Sequence, residues 1–338
     1  MYGVNIVIVW VSAHRIDEGM LEVGTMTAFL TYSIQIIMSF LMLSMMSIML
    51  PRAGAAAERI EEVINTDSSI NDADETKSLD SVEGVIAFED VHFTYPNANE
   101  DVLNGVSFKA LPGTTTAIIG STGCGKSTLV NLIPRLYDVN SGKITLDGID
   151  IREISLKDLR ENIGFVPQKA VLFSGTIASN LRFGKQDATD EEIEDAASIS
   201  QSLDFIEEKK EKFESPIAQG GSNVSGGQKQ RLSIARAIAK NPKIYVFDDS
   251  FSALDMKTDA KLRNALAKKS KDSTVIIVAQ RISTILKADQ IIVLDEGKIA
   301  GIGSHKELLK NCEEYIEIAK SQLSEEEINA SLNEGGEA

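Results

Sequence analysis

The chain has 338 residues, 43% of them hydrophobic, which allows about two domains with packed cores. Its formal net charge of −16 argues against a broad nucleic-acid face, which would carry an excess of Lys and Arg. Two cysteines, Cys124 and Cys312, form no disulfide framework and suit a reducing compartment.

Met1–Ala13 is uncharged but too short to cross a bilayer alone. No basic residue precedes it and no small-residue cleavage site ends it, so a signal peptide is a poor reading. The expectation is the back half of a spanning helix whose beginning is missing. From Val23 to Pro51 there is again no charge, and at ~1.5 Å per residue this segment reaches about 40 Å as a helix. A hydrocarbon core needs about 20 residues, so Thr25–Leu50 predicts a membrane-spanning helix. Tilt or continuation into the cytosol takes up the excess. Arg52 and Arg59 follow it and Asp17, Glu18 and Glu22 precede it, placing its C-terminal side in the cytoplasm. Met26, Met38, Met42, Met45, Met46 and Met49 suit lipid contact and helix packing. Thr31, Ser33, Gln35, Ser39, Ser44 and Ser47 predict one face turned toward other helices or a cavity. Strong helix formers continue over Arg52–Ile64, and Pro51 is a place for a kink.

Residues 65–84 turn acidic and polar and read as an exposed linker. From there to about residue 320, apolar strands alternate with helices. Val85–Phe93, Thr115–Ile119, Lys143–Leu146, Ile244–Phe247, Thr274–Val278 and Gln290–Leu294 are predicted strands. Lys126–Leu136 and Gln228–Lys240 are predicted helices. The pattern gives an α/β domain with a largely parallel sheet. Residues 321–338 close the chain as an acidic tail. From Ser324 onward it has five glutamates and no Lys or Arg, which predicts solvation.

Gly120, Ser121, Thr122, Gly123, Cys124, Gly125, Lys126, Ser127 and Thr128 spell a G-x-x-x-x-G-K-[ST] phosphate loop between a strand and a helix. Its glycines let successive N–H groups converge on phosphates. Lys126 supplies a point charge near the β- and γ-phosphates, and Ser127 offers a hydroxyl to Mg²⁺. Asp248 and Asp249 end a hydrophobic strand; the first is the expected metal-side carboxylate and the second is placed to orient or deprotonate the attacking water. Ser225, Gly226, Gly227 and Gln228 open a helix, offering a hydroxyl and free N–H groups to phosphate at the positive end of the dipole. One phosphate loop beside a second phosphate-binding element implies two chains, each nucleotide lying between the loop of one and the helix start of the other. His14, His92 and His305 show no metal-ligand spacing.

Together these motifs resemble the nucleotide-binding domain of ATP-binding cassette (ABC) proteins, most closely the exporter branch, over about Val85–Leu309. The resemblance implies a P-loop cassette with added antiparallel β and helical subdomains, behind a truncated helical membrane segment. It also implies ATP and Mg²⁺ as ligands, Tyr95 stacking on adenine, Gln168 reaching Mg²⁺, and Ser252–Asp255 crossing to a partner. Ser215–Gly221 occupies the place of a segment that usually carries an acid contacting the membrane domain; that acid is absent here. Two further departures coincide. Where the family usually has glutamate this chain has Asp249, and where it usually has a switch histidine the chain has Gln280. Asp is one methylene shorter, and a misplacement of about 1 Å costs about a hundredfold in rate. Gln280 can hydrogen-bond a γ-phosphate but cannot carry a proton.

The pattern resembles one half of a heterodimeric exporter, multi-pass in full length, with its cassette in the cytoplasm. Its partner would be a second half-transporter, its lipid contact the cell membrane, and its exported substrate is not readable; nucleic acid is not an expected partner. A nucleotide-binding regulatory subunit and a soluble ABC ATPase are the alternatives, and one and a half helices form no translocation path alone.

Overall fold

The computed structural model describes residues 2–79 and 81–333. The chain divides into two compact units, Met1–Ser69 and Ile70–Ala338. In the first, Tyr2–Asp17 and Val23–Ile64 are α-helices. The second helix has 42 residues and is long and apolar enough to cross a membrane. Pro51 lies inside it without ending it. Thr31, Ser39, Ser44 and Ser47 donate to carbonyls four residues earlier in the same helix. Those hydroxyls are therefore satisfied locally. Among the described residues, Ser33 alone of the expected polar face donates to the neighbouring helix, to Asn5 Oδ1 at 3.0 Å.

In the second unit a six-stranded sheet runs in the spatial order Lys298–Gly303, Gln290–Asp295, Thr115–Gly120, Thr274–Val278, Ile244–Asp248, Ile163–Val166. All neighbours pair in parallel except the first two. Ile244–Asp248 and Thr274–Val278 are buried at every position, as strands covered on both faces must be. A four-stranded antiparallel sheet has the order Leu103–Ala110, Ile86–Phe93, Ser141–Leu146, Ile149–Asp150. Phe88, Phe93, Ile118, Leu129 and Val246 join the two sheets in one core. The opposite face of the large sheet packs Phe247, Ile277, Leu262 and Tyr315. A third cluster, including Leu172, Ile177, Ile193, Phe205 and Leu232, holds a helical region against the helix Gly226–Ala239.

Three expectations change. The helix from Lys126 ends at Leu132 rather than Leu136, because Pro134 has no N–H to continue the hydrogen-bond ladder and Arg135 turns to φ +51. The stretch before residue 84 is exposed at most positions but pinned to the domain. Lys77 pairs with Glu153 through its amide and its ammonium, both at 2.7 Å, and Asp72 accepts from the Leu156 N–H. Asp147 accepts from the N–H groups of Glu83, Gly84 and Val85. Finally, the segment from Ser324 is not simply solvated tail: Glu325–Asn333 is a helix whose Ile328 and Leu332 pack on the core. Those two apolar residues, four apart, outweigh the glutamates before them. Residues 334–338 lie outside the described residues.

Candidate nucleotide site

The phosphate loop leaves its strand at Gly120 and enters the helix Lys126–Leu132 at Gly125. Both positions demand glycine. A Cβ at Gly120 would overlap the Leu294 carbonyl oxygen and crowd Cys124 Sγ. Gly125 caps the helix at φ +100, where a Cβ would meet Leu103 Cδ2 at 2.9 Å. Ser121, Thr122 and Gly123 are exposed on the loop's outer turn, and Cys124 is buried beneath it. Lys126 folds back so that its Nζ donates to the carbonyls of Gly120 and Ser121, at 2.9 and 2.6 Å. A phosphate group would offer that ammonium a stronger, charge-assisted acceptor.

Beyond the loop stand the two strand-end carboxylates. Ser127 Oγ donates to Asp248 Oδ1 at 3.0 Å. Burial pushes the Asp248 carboxyl up and neighbouring Asp249 adds to the rise, while Ser127 and Lys126 oppose it. A hydroxyl and a buried carboxylate side by side suit a hard, oxygen-seeking cation, which would also relieve the burial cost; the residues fit Mg²⁺. Asp249 sits at φ +47, a conformation Asp tolerates better than longer side chains do. Its Oδ2 accepts two amides, from Gln168 Nε2 at 3.1 Å and from Gln280 Nε2 at 2.6 Å. Gln168 therefore meets the carboxylate next to the Ser127–Asp248 pair.

Tyr95 is half-buried, its hydroxyl 3.0 Å from Thr128 Oγ1 and its ring edge-on to Phe93 and Tyr137. Tyr95, Lys126–Thr128, Asp248, Asp249, Gln168 and Gln280 thus gather around one loop. The Ser225 helix start stands apart from them and shares no hydrogen bond with the set among the described residues. Ser225 Oγ accepts from the Gln228 N–H at 3.2 Å, and Gln228 Oε1 accepts from the Ser225 N–H at 3.1 Å, a reciprocal capping box. The hydroxyl offered to phosphate is thus already engaged as an acceptor, which leaves its proton for a ligand. Ser225 and Gly226 are exposed, and among the described residues no heavy atom beyond the neighbouring helix backbone stands within 4 Å of where a Gly226 Cβ would lie.

Two residues of this site escaped the sequence reading. Ser250 is fully buried and its hydroxyl donates to the carbonyls of Val166 and Asp248, tying two strand ends together. Gln322 accepts from the Ile282 N–H and donates to the Gln280 carbonyl. A polar residue directly after the acidic pair was a signal for the first; nothing local marks the second.

Residues 103–252 match the ABC transporter family model. The chain is 49% identical over 322 residues to an uncharacterized ABC transporter ATP-binding protein of Mycobacterium tuberculosis, covering 94% of this chain and 55% of that protein. It is 38% identical over 308 residues to an ATP-dependent lipid A-core flippase of Desulfotalea psychrophila, covering 91% and 54%. Among solved structures it is similar to a bacterial Atm1-family ABC exporter with ATP bound. There the TM-score is 0.79 at 33% identity, over 95% of this chain and 57% of that one. The chain spans about half the length of the relatives it matches.

Proposed function

Because this cassette belongs to the ABC transporter family of ATPases, we propose that the chain is the ATP-binding part of an exporter half, working against a second half across a membrane. Its own hydrolytic site is slow, and its Ser225–Gln228 helix start serves the partner's nucleotide. The observation that carries this reading is the pair of neutral amides on Asp249 Oδ2. A carboxylate that must orient water is held by Gln168 and Gln280, and neither amide can accept or return a proton.

The residues would act as follows. Lys126 exchanges its carbonyl partners for the β- and γ-phosphate oxygens, and the N–H groups of Gly123 to Thr128 close around them. Ser127 and Asp248 would hold Mg²⁺, which when bound neutralises phosphate charge. The Tyr95 ring offers its face to adenine. Asp249 orients a water from a carboxylate set back by one methylene, and Gln280 hydrogen-bonds the γ-phosphate. The long apolar helix Val23–Ile64 would anchor the assembly in the membrane, with the cassette in the cytoplasm.

The test is to pair the full-length protein with its candidate partner and compare substitutions at the two ends. Ser225→Ala or Gly226→Val should suppress steady-state ATPase activity about tenfold or more, by removing a phosphate-facing hydroxyl or blocking backbone approach. Asp249→Ala should cost less. If Asp249→Ala eliminates turnover as completely as Ser225→Ala does, a symmetric homodimer with a competent site is the correct account.

A further inference from the structure

We infer that Gln322 is a positioning residue for the γ-phosphate side of the nucleotide site, acting through the backbone of Gln280. This rests on the reading of that site given above.

Gln322 is the last residue of the helix Glu313–Gln322. It follows Tyr315 by seven residues and Ala319 by three, so the three share one helix face. Tyr315 and Ala319 are fully buried, and the Tyr315 hydroxyl is 2.7 Å from His305 Nδ1, which fixes that face against the domain. The Gln322 amide is thus delivered to a set place. There it makes two hydrogen bonds to one loop. Oε1 accepts from the Ile282 N–H at 2.9 Å, and Nε2 donates to the Gln280 carbonyl at 2.8 Å.

The loop lacks the local device that would make this unnecessary. Ile282 is the first residue of the helix Ile282–Ile285, and its N–H is one of the donors a helix start leaves open. Arg281, at the capping position, makes no side-chain cap among the described residues. A Ser or Asp in that place would ordinarily satisfy such donors. Here the acceptor arrives from a helix 40 residues downstream. On its other side the loop is tied to the sheet, since the Ala279 N–H donates to the Ile118 carbonyl at 3.0 Å. Gln280 therefore sits between a sheet contact before it and the Gln322 amide at its own carbonyl. Its side chain makes the 2.6 Å bond to Asp249 from that clamped backbone. Ordering an exposed glutamine has a conformational cost, and here it fixes a group that reaches the catalytic corner.

ADP has no γ-phosphate for Gln280 to contact, so the preference for ATP over ADP isolates the effect. Mg·ATP and Mg·ADP binding would be measured by calorimetry on the full chain in detergent micelles. The ADP affinity reports separately on the phosphate loop. Gln280→Ala should reduce the ATP preference about tenfold, the size of a hydrogen bond to a charged group. Gln322→Met keeps the length and removes both hydrogen bonds. It should reduce the preference about threefold or more while ADP affinity stays within about twofold, and it should add nothing to Gln280→Ala. Gln322→Glu keeps the acceptor for Ile282 and loses the donor to Gln280. It should fall between the parent and Gln322→Met, and it carries the test if the methionine variant melts early. An unchanged preference, an equal loss for both nucleotides, or a loss additive with Gln280→Ala would each overturn the inference.

Discussion

Asp248 and Asp249 are consecutive, similarly buried, and differently used. Asp248 is 5% exposed and meets the hydroxyl of Ser127 beside the Lys126 ammonium. Asp249 is 7% exposed, and among the described residues its carboxylate meets only neutral side-chain donors, the amides of Gln168 and Gln280. The first corner keeps a strong charge and an oxygen pair suited to a cation. The second has a carboxylate whose two amide partners can neither accept nor return a proton. On the proposed reading, affinity for a nucleotide and the rate of its hydrolysis would be separable in this chain, because they would rest on adjacent residues with different neighbours.

Removing the charge from the first corner should have the largest effect. Lys126→Ala deletes the ammonium now resting on the Gly120 and Ser121 carbonyls. Charge-assisted bonds are worth about 1.5–3 kcal/mol each, so losing two of them to phosphate should weaken Mg·ATP binding at least a hundredfold. Calorimetry showing equal affinity for parent and variant would break the comparison at its root.

Strengthening the second corner should change rate and leave affinity largely alone. Asp249→Glu with Gln280→His restores carboxylate reach and supplies an imidazole. Recovering about 1 Å of position is worth about a hundredfold. Against this, the position lies at φ +47, where a glutamate costs about 1–2 kcal/mol, or roughly tenfold. The double variant should therefore turn ATP over about tenfold faster in the paired assembly, and each single change should give less because both act on one water. No gain would mean that the amides on Asp249 are not what limits hydrolysis.

What the sequence made legible follows the same line between local and distant chemistry. The phosphate loop, the acidic strand end and the Ser225 helix start are each contiguous, so spacing alone was enough to mark them as candidates. Ile163–Val166 and Lys298–Gly303 were not predicted as strands. The first has four residues, and the second is interrupted by Gly301; short or glycine-broken runs carry little periodicity. Leu103–Ala110 was hidden by Asn104 and Gly105, at a register shift in its pairing. Gln322 was missed for a different reason. Its partners are the backbone of a loop 40 residues earlier, and only the fold brings them together. The same holds for Asp147, whose three backbone donors lie more than 60 residues before it.

The smallest expected effect separates the two uses of Tyr95, whose hydroxyl contacts Thr128 and whose ring is held edge-on by Phe93 and Tyr137. Tyr95→Phe deletes only the hydroxyl. A neutral hydrogen bond of this type contributes about 0.5–1.5 kcal/mol, part of it to folding rather than to binding, so ATP affinity should fall about two- to threefold. Tyr95→Ala also deletes the ring, and a base–aromatic stack is worth about 1–3 kcal/mol, which predicts a loss of about five- to a hundredfold. The loss should be the same for ADP, since the stack involves the base and not the γ-phosphate. Calorimetry with both nucleotides reads all of these values. If Tyr95→Phe costs as much as Tyr95→Ala, the hydroxyl's hold on the start of the phosphate-loop helix, not stacking, is what the residue contributes to the binding corner.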